Sequence, residues 1–351
     1  MNDFVKISRY AGQRFDLVQA AGGNSSVKLN NGQMLIKASG YHLSEITEKT
    51  GFSVVDNSMV LEILSNEEIV DCKIKKNREL KTKKLIDSAT ITKEVRPSIE
   101  TLLHSLLKKY TLHTHSIAAN IILASEHWRE DIYELFDEKV CVVDYRTPGI
   151  DLAIELKKQI KFKKVIPEII FLQNHGLIIT SDDPNKLLEI NEFVLSKIEK
   201  NMCLDFSKFK LTTKISKFIS SSMQKDVTVF LSNDSIVSSF LSSSYKLESL
   251  KPFNPDSLVY FGFEIIKLNN LIDSSPLIIY ENKYRELPKV FIFKKNIYIS
   301  ADNFKKFKEI EDVLKSHLLI ILNCKKPLNY LKFDELKYLS NWEAEKFRNK
   351  L

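Results

Sequence analysis

From Asp3 to Asn201 the hydrophobic pattern keeps switching between a period near 3.6 and a period of 2, and this alternation confines the chain to the α/β class. Phe4, Ile7, Tyr10, Ala11, Phe15, Leu17 and Val18 recur at helical spacing and predict a helix over Asp3 to Ala20, stopped by AAGGN. SSVKLNNGQMLIKASG then reads as a β-hairpin turning at Asn30-Asn31-Gly32, and FSVVD as a further strand. The stretch EILSNEEIVDCKIKKNRELKTKKLID reads as helix with breaks. Pro97 opens another helix, SIETLLHSLLKKY, whose Ile99, Leu102, Leu103, Leu106 and Leu107 form an apolar face. A TLHTH strand follows, then a helix from near Ser116, a short strand KVCVVDY and a turn at Pro148-Gly149. The helix DLAIELKKQIKF, the strand EIIFLQNHGLIIT and the long helix PNKLLEINEFVLSKIEKN complete the series.

This first unit ends near residue 205, where KFKLTTKISKFISSSMQKD turns polar and rich in Ser and Lys, as a linker or subsidiary helix would be. Residues 206–351 read as a second α/β unit, with strands at VTVFLS, SLVYFGF, KVFIFKKNIYIS and LLIILN. A chain of 351 residues suits two such domains. The second contains one histidine, His317, and no glycine-rich loop, so on its own terms it offers no chemistry.

An excess of 52 basic over 45 acidic residues leaves only +7 across the chain, weak grounds for a polyanionic partner. Its densest basic cluster, KIKKNRELKTKK (73–84), lacks the interleaved aromatics of a single-strand-binding surface and reads as a solvated helix face or loop rather than a nucleic-acid site. Cys72, Cys141, Cys203 and Cys324 lie far apart without a CxxC pair, which argues against a disulfide framework or thiolate zinc site and fits a reducing cytoplasm. The N-terminus has no apolar signal region and no segment approaches eighteen consecutive apolar residues, so neither secretion nor membrane spanning is expected.

Successive side chains on a strand point to opposite faces, so His113 and His115 project the same way with Cβ atoms roughly 7 Å apart, a separation that suits two imidazoles on one cation. Two hydrogen-bonded or exposed histidines would give the same pattern. His175, in FLQNHGLIIT, stands before a glycine that allows another backbone or a ligand to come close. Three neutral imidazoles with an open position would define a catalytic divalent site, most naturally zinc. Glu100 lies in a largely apolar stretch one turn before His104. It is either the polar face of an amphipathic helix or, beside a metal-bound substrate, a general base. AAGGNSS and KASG supply glycines, small hydroxyls and free backbone N–H groups, the ingredients of a phosphate cradle and equally of ordinary turns.

Taken in order, GGNSS, LIKASG, RPSIETLLH, HTHS, YRTPGIDLA and LQNHGLIIT resemble the class II aldolase/adducin family over about residues 1 to 205. The resemblance implies a three-layer α/β/α domain around a mostly antiparallel sheet, and a homo-oligomer, usually a tetramer, with active sites at subunit boundaries. It implies that His113, His115 and His175 ligate Zn2+ or another divalent transition metal, and that Glu100 is the catalytic acid/base. Gly23, Asn24, Ser39, Gly40 and Ser98 fall where the family's aldolases hold the substrate phosphate. One position departs: fuculose-phosphate aldolase has a second serine directly before its glutamate, and here that position is Ile99.

The activity so implied is cleavage or formation of a C–C bond in a ketose phosphate, giving dihydroxyacetone phosphate and an aldehyde through a metal-stabilised enediolate. The same family includes an epimerase, a dehydratase and decarboxylases. The epimerase typically has aspartate at the position of Glu100, so glutamate leans towards aldolase or dehydratase. A non-catalytic adducin-like scaffold is the rival of another kind, and it has no chemical need for three histidines and a glutamate. The C-terminal part, with NPDSLVYFG, KVFIFKKNIYISADNFKKFKEIEDVLKSHLLII and NWEAEKFRNKL, resembles the segment that follows the aldolase domain in bifunctional rhamnulose-phosphate aldolase/dehydrogenase proteins. The chain thus reads as the aldolase part with an accessory domain and without the nicotinamide-dependent half, in keeping with the lack of a GxGxxG-like sequence.

Overall fold

The computed structural model describes residues 1–242 and 250–341, and the chain divides into two compact units, Met1–Phe206 and Ser207–Leu351. The first runs α1 (Asn2–Gly12), β1 (Asn24–Lys28), β2 (Gln33–Lys37), β3 (Phe52–Asp56), α2 (Asn57–Ile63), α3 (Glu67–Val70), α4 (Lys75–Ala89) and α5 (Thr101–Ser105). It continues with β4 (Tyr110–Thr114), α6 (Ile117–Leu123), α7 (Trp128–Phe136), β5 (Cys141–Val143), α8 (Ile150–Lys163), β6 (Ile169–Leu172), β7 (Gly176–Ser181) and α9 (Pro184–Asn201).

Its seven strands form one sheet in the order β3-β2-β1-β4-β7-β6-β5, antiparallel throughout except for the β5–β6 pair. The strands are buried on both faces, and their alternate residues feed two separate cores. Val27, Leu35, Leu112 and Leu177 pack with Phe4 and Ile7 of α1, Ala119 and Leu123 of α6, Ile132 of α7 and Leu195 of α9. Met34, Ile36, Cys141, Ile170 and Ile178 pack on the other side with Val60 and Ile63 of α2, Leu102 and Leu103 of α5, and Ala153 and Leu156 of α8. The domain is therefore a three-layer α/β/α unit with a mostly antiparallel centre.

Several boundaries differ from the sequence reading. The first helix ends at Gly12 instead of Ala20 because a Cβ there would lie 2.1 Å from the Ser44 nitrogen, so the glycine lets the 43–44 turn press against the helix end. Beyond it the fully buried Arg14 bonds Asp16 and Glu192, tying the segment that enters β1 to α9. The helix expected from Pro97 shrinks to the five residues of α5, because Ser98 N–H bonds the Lys37 carbonyl at 3.2 Å and keeps residues 97–100 against the end of β2. EIIFLQNHGLIIT is two antiparallel strands, β6 and β7, joined by a turn in which Asn174 takes φ +52°. The basic 73–84 stretch lies mostly on α4 with its lysines exposed, as a solvated helix face.

The second unit runs α10 (Ser207–Met223), β8 (Val229–Leu231), α11 (Ser235–Leu241), α12 (Pro255–Phe261), β9 (Ile266–Lys267), α13 (Ser275–Tyr284), β10 (Val290–Phe293), β11 (Asn296–Ser300), α14 (Phe304–Asn323) and α15 (Phe333–Asn341). Its sheet has the order β8-β11-β10-β9. Two segments expected as strands are helical. SLVYFGF lies largely in α12, started by the Asn254 side chain accepting from Ser257 N–H with Pro255 in the first turn, and LLIILN is the last turn and a half of α14. The terminal NWEAEKFRNKL falls outside the described residues from Trp342 onward.

His317 of α14 is buried, stacks on Phe253 at 4.1 Å between ring centroids and bonds the Ser257 hydroxyl at 2.8 Å. Burial lowers its pKa to about 4. A histidine whose folded pKa lies below its unfolded value of about 6.5 contributes stability that is complete above pH 6.5 and lost as pH falls towards 4. This unit should lose on the order of 3 kcal/mol of stability over that interval. Urea unfolding midpoints at pH 7 and pH 4.5 check this, and a His317→Gln variant should show a flatter dependence than the parent.

Candidate metal centre and its surroundings

The three histidines and Glu100 meet at one end of the central strands of the first sheet. His113 is the fourth residue of β4 and lies opposite Asn24 of β1 and Ile178 of β7; His115 follows one residue beyond the strand, and His175 closes the β6–β7 turn. The ring centroids are 5.0 Å apart for His113 and His115, 4.9 Å for His113 and His175, and 5.2 Å for His115 and His175. Glu100 is the residue immediately before α5, where sequence spacing had placed it one turn inside a helix. Its Oε1 lies 3.1 Å from Nε2 of His113 and 3.3 Å from Nε2 of His175. One donor atom from each of the four residues falls within 4.8 Å of the others.

Hydrogen bonding fixes which nitrogen of His113 faces the cluster. Its Nδ1 lies 3.2 Å from the Leu177 carbonyl, which can only accept, so Nδ1 carries a proton and Nε2 is the nitrogen turned toward Glu100. Nε2 of His115 is buried without a hydrogen-bond partner, and the Nε2 atoms of His113 and His175 both face the Glu100 carboxylate. An unsatisfied buried polar atom costs about 1–3 kcal/mol, and three imidazoles clustered with a carboxylate are a donor set that could hold a divalent cation. The residues therefore fit a divalent cation.

The electrostatics agree. Burial, reinforced by His113 and His175, pushes His115 down to about 4, which keeps its imidazole neutral and able to ligate. Burial alone would raise the Glu100 carboxyl, but the neighbouring His113 and His175 outweigh it and hold the group well below the usual carboxylate range. Glu100 is thus an ionised carboxylate inside the donor set.

Glycines set the approach distances. A Cβ at Gly176 would sit 2.2 Å from the Thr114 carbonyl oxygen and 3.3 Å from His113 Cε1, so only glycine lets β7 close on β4 beside the ligands. Gly176→Ala should cost about 1–3 kcal/mol or more through forced separation of the strands, with reduced metal retention, read by thermal melting and metal analysis of the purified variant. Gly22, which the sequence reading passed over, plays the same part for His115, whose Nδ1 a Cβ there would meet at 2.9 Å.

The residues expected at a phosphate come from different turns. Gly23, at φ +70°, and Asn24 stand at the start of β1 beside the histidines; Asn24 Oδ1 accepts from Ser25 N–H at 2.8 Å, while its Nδ2 is a buried donor without an acceptor among the described residues. Ser39, Gly40 and Ser98 come together differently. Ser39 N–H bonds the Arg96 carbonyl at 2.9 Å, and Ala38 and Pro97 form an isolated bridge, so the two turns run side by side. Ser39 and Ser98 both line a cavity of about 310 Å3.

Lys37 is a residue the sequence reading missed. Its ammonium donates to the carbonyls of Ala21 at 3.0 Å and Tyr41 at 2.8 Å, tying the glycine turn to the KASG turn. Burial lowers its pKa, and Glu100 and Glu45 partly offset that. The only signal was a lysine closing the otherwise apolar run MLIK.

The three-layer α/β/α domain thus gathers three histidines and a glutamate at one end of its central strands, in a donor set that could hold a divalent cation. Residues 2–195 match the family of class II aldolase and adducin N-terminal domains, and the chain is a member of that family. Among solved structures it is similar to the N-terminal class II aldolase domain of a conserved protein from Thermoplasma acidophilum (27% identity, 57% of this chain and 92% of that one, TM-score 0.48). It is also similar to L-fuculose-1-phosphate aldolase from Thermus thermophilus (16% identity, 57% and 92%, TM-score 0.35) and to YgbL from Klebsiella pneumoniae, a candidate aldolase/epimerase/decarboxylase (17% identity, 59% and 89%, TM-score 0.40). No curated protein matches the chain. Among the described residues no helix is long and apolar enough to cross a membrane.

Proposed function

We propose that the protein is a zinc-dependent aldolase acting on a ketose phosphate, cleaving or forming a C–C bond with dihydroxyacetone phosphate as one product or reactant. What supports this is the convergence of His113, His115, His175 and Glu100 within 4.8 Å, with Glu100 held as a carboxylate against two of the imidazoles. His113, His115 and His175 would hold the cation, leaving a coordination position for substrate. Bound there, the metal supplies Lewis-acid polarisation of a carbonyl and offsets the negative charge that develops when the adjacent C–C bond breaks.

The chain's own groups do the rest. Glu100 Oε1, already ionised, takes up and returns the proton at the carbon next to the carbonyl. The Leu177 carbonyl keeps His113 turned with Nε2 inward. Lys37 holds the two turns in register, and the hydroxyls of Ser39 and Ser98, the Gly40 backbone and the Asn24 amide take the phosphate.

Incubating zinc-loaded protein with ketose 1-phosphates and 5-phosphates tests the reading. Release of a triose phosphate supports the aldolase, an epimer or a dehydrated product transfers the site to another reaction on the same fold, and loss of carbon dioxide to a decarboxylase. Roughly one tightly bound transition metal per chain separates all of these from a scaffold, which would hold none. The proposed assembly is a cytoplasmic homo-oligomer, a tetramer by family resemblance, with residues 206–351 as an accessory domain; its small-molecule ligand is a sugar phosphate rather than a nucleic acid or membrane.

A further inference from the structure

We infer that Arg96 is a phosphate-binding residue, supplying the cation of an anion subsite where the position next to Glu100 has lost its hydroxyl to Ile99. The inference rests on the sugar-phosphate reading of the site and adds a specificity determinant to it. The cavity of about 310 Å3 that holds Ser39 and Ser98 is walled by Arg96 from the same segment and by Lys83 from α4. Neither cation has an ion-pair or hydrogen-bond partner for its side chain among the described residues. An arginine fork is suited to two oxygens of one phosphate, and nothing in the protein occupies it.

Three further features face the same space. Ser98 is 9% exposed and lines the cavity; its hydroxyl accepts from Glu100 N–H at 3.3 Å, which leaves its O–H available as a donor. Gly149 and Ile150 bring the N-terminus of the fourteen-residue helix α8 to the wall, without a side-chain cap on its first N–H groups. Such a terminus carries partial positive charge and favours an anion. Ile99, 61% exposed, lies along Gly149 with its Cγ1 3.4 Å from where a Cβ would be, so it lines the cavity with hydrocarbon in place of a donor.

Glu79 and Asp87 also line the cavity and balance the two cations in formal charge. Attraction there is consequently local rather than a general positive field, and the fork of Arg96 together with the Ser98 hydroxyl decides the geometry. Ser98, whose hydroxyl accepts from Glu100 N–H, ties the cavity wall to the segment that carries Glu100.

The test is inorganic phosphate binding to the full chain, stripped of metal with a chelator so that phosphate on a cluster-bound cation does not contribute, followed by 31P line broadening and calorimetry. The parent should bind, Arg96→Ala should bind about tenfold to a hundredfold more weakly, and Arg96→Lys should fall between, since it keeps charge but loses the fork. The Arg96 side chain is exposed, so truncation spares the core, and circular dichroism and metal content should match the parent. Equal phosphate affinity in parent and Arg96→Ala overturns the inference, as does a parent that binds none. Arg96-dependent binding in a protein that turns over no sugar phosphate sustains the inference while removing the proposed activity.

Discussion

His113→Ala is expected to yield a folded protein that no longer retains a divalent metal and has no measurable turnover. The imidazole is fully buried on the central strand β4, its Nδ1 anchored by the Leu177 carbonyl and its Nε2 turned toward Glu100. Four-ligand zinc sites bind with apparent free energies of about 10–16 kcal/mol, so losing one ligand removes about 3 kcal/mol, roughly a hundredfold in affinity, before the geometry of the other two is considered. Truncation also opens a cavity in a core strand, which costs about 2–4 kcal/mol of stability. Circular dichroism and melting of chelator-treated parent and variant separate the two effects. Metal content by elemental analysis is the deciding measurement: a variant with full metal and full activity would remove His113 from the centre.

The site was more legible than the helices and strands that carry it. HTH, RPSIE and QNHG stood out, and the structure brings their His and Glu side chains together, because a candidate metal cluster needs particular functional groups and only seven histidines were available to supply them. What spacing could not show was the path of the chain between them. EIIFLQNHGLIIT is apolar on both sides because both of its strands are buried on both faces, so the turn at Asn174 left no polar interruption longer than three residues. SLVYFGF and LLIILN were ambiguous for a related reason: a short apolar run does not distinguish a buried strand from a buried helix. The helical signals lay outside the runs. Asn254-Pro255 is a cap followed by a first-turn proline, and Phe307, Ile310, Leu314, Leu318 and Ile321 keep helical spacing across the whole of α14. Lys37 and Gly22 escaped because their roles are relations between distant turns: an ammonium on two carbonyls, and a hydrogen where a methyl group would strike His115.

Glu100→Gln should lower kcat by about 10²–10⁴, with a much smaller change in KM, because it keeps the shape of the side chain and removes its ability to carry a proton. The carboxylate is nearly fully buried and ionised, and lies within 3.3 Å of two imidazoles, so the same position could serve as a fourth ligand instead of an acid/base. Metal content and rate together separate those roles. As an acid/base, the amide variant keeps close to the parent's metal and loses the rate; as an obligatory ligand, it loses metal and rate in parallel, and added zinc restores part of both. Glu100→Asp retains the proton but withdraws it by one methylene, about 1.5 Å, and should recover a fraction of the rate if proton transfer is the function, since misplacement on that scale costs on the order of 10². Following exchange of the ketose α-proton into deuterated water by NMR isolates the step itself. Undiminished exchange in Glu100→Gln would show that another group moves the proton and would leave Glu100 as a ligand alone.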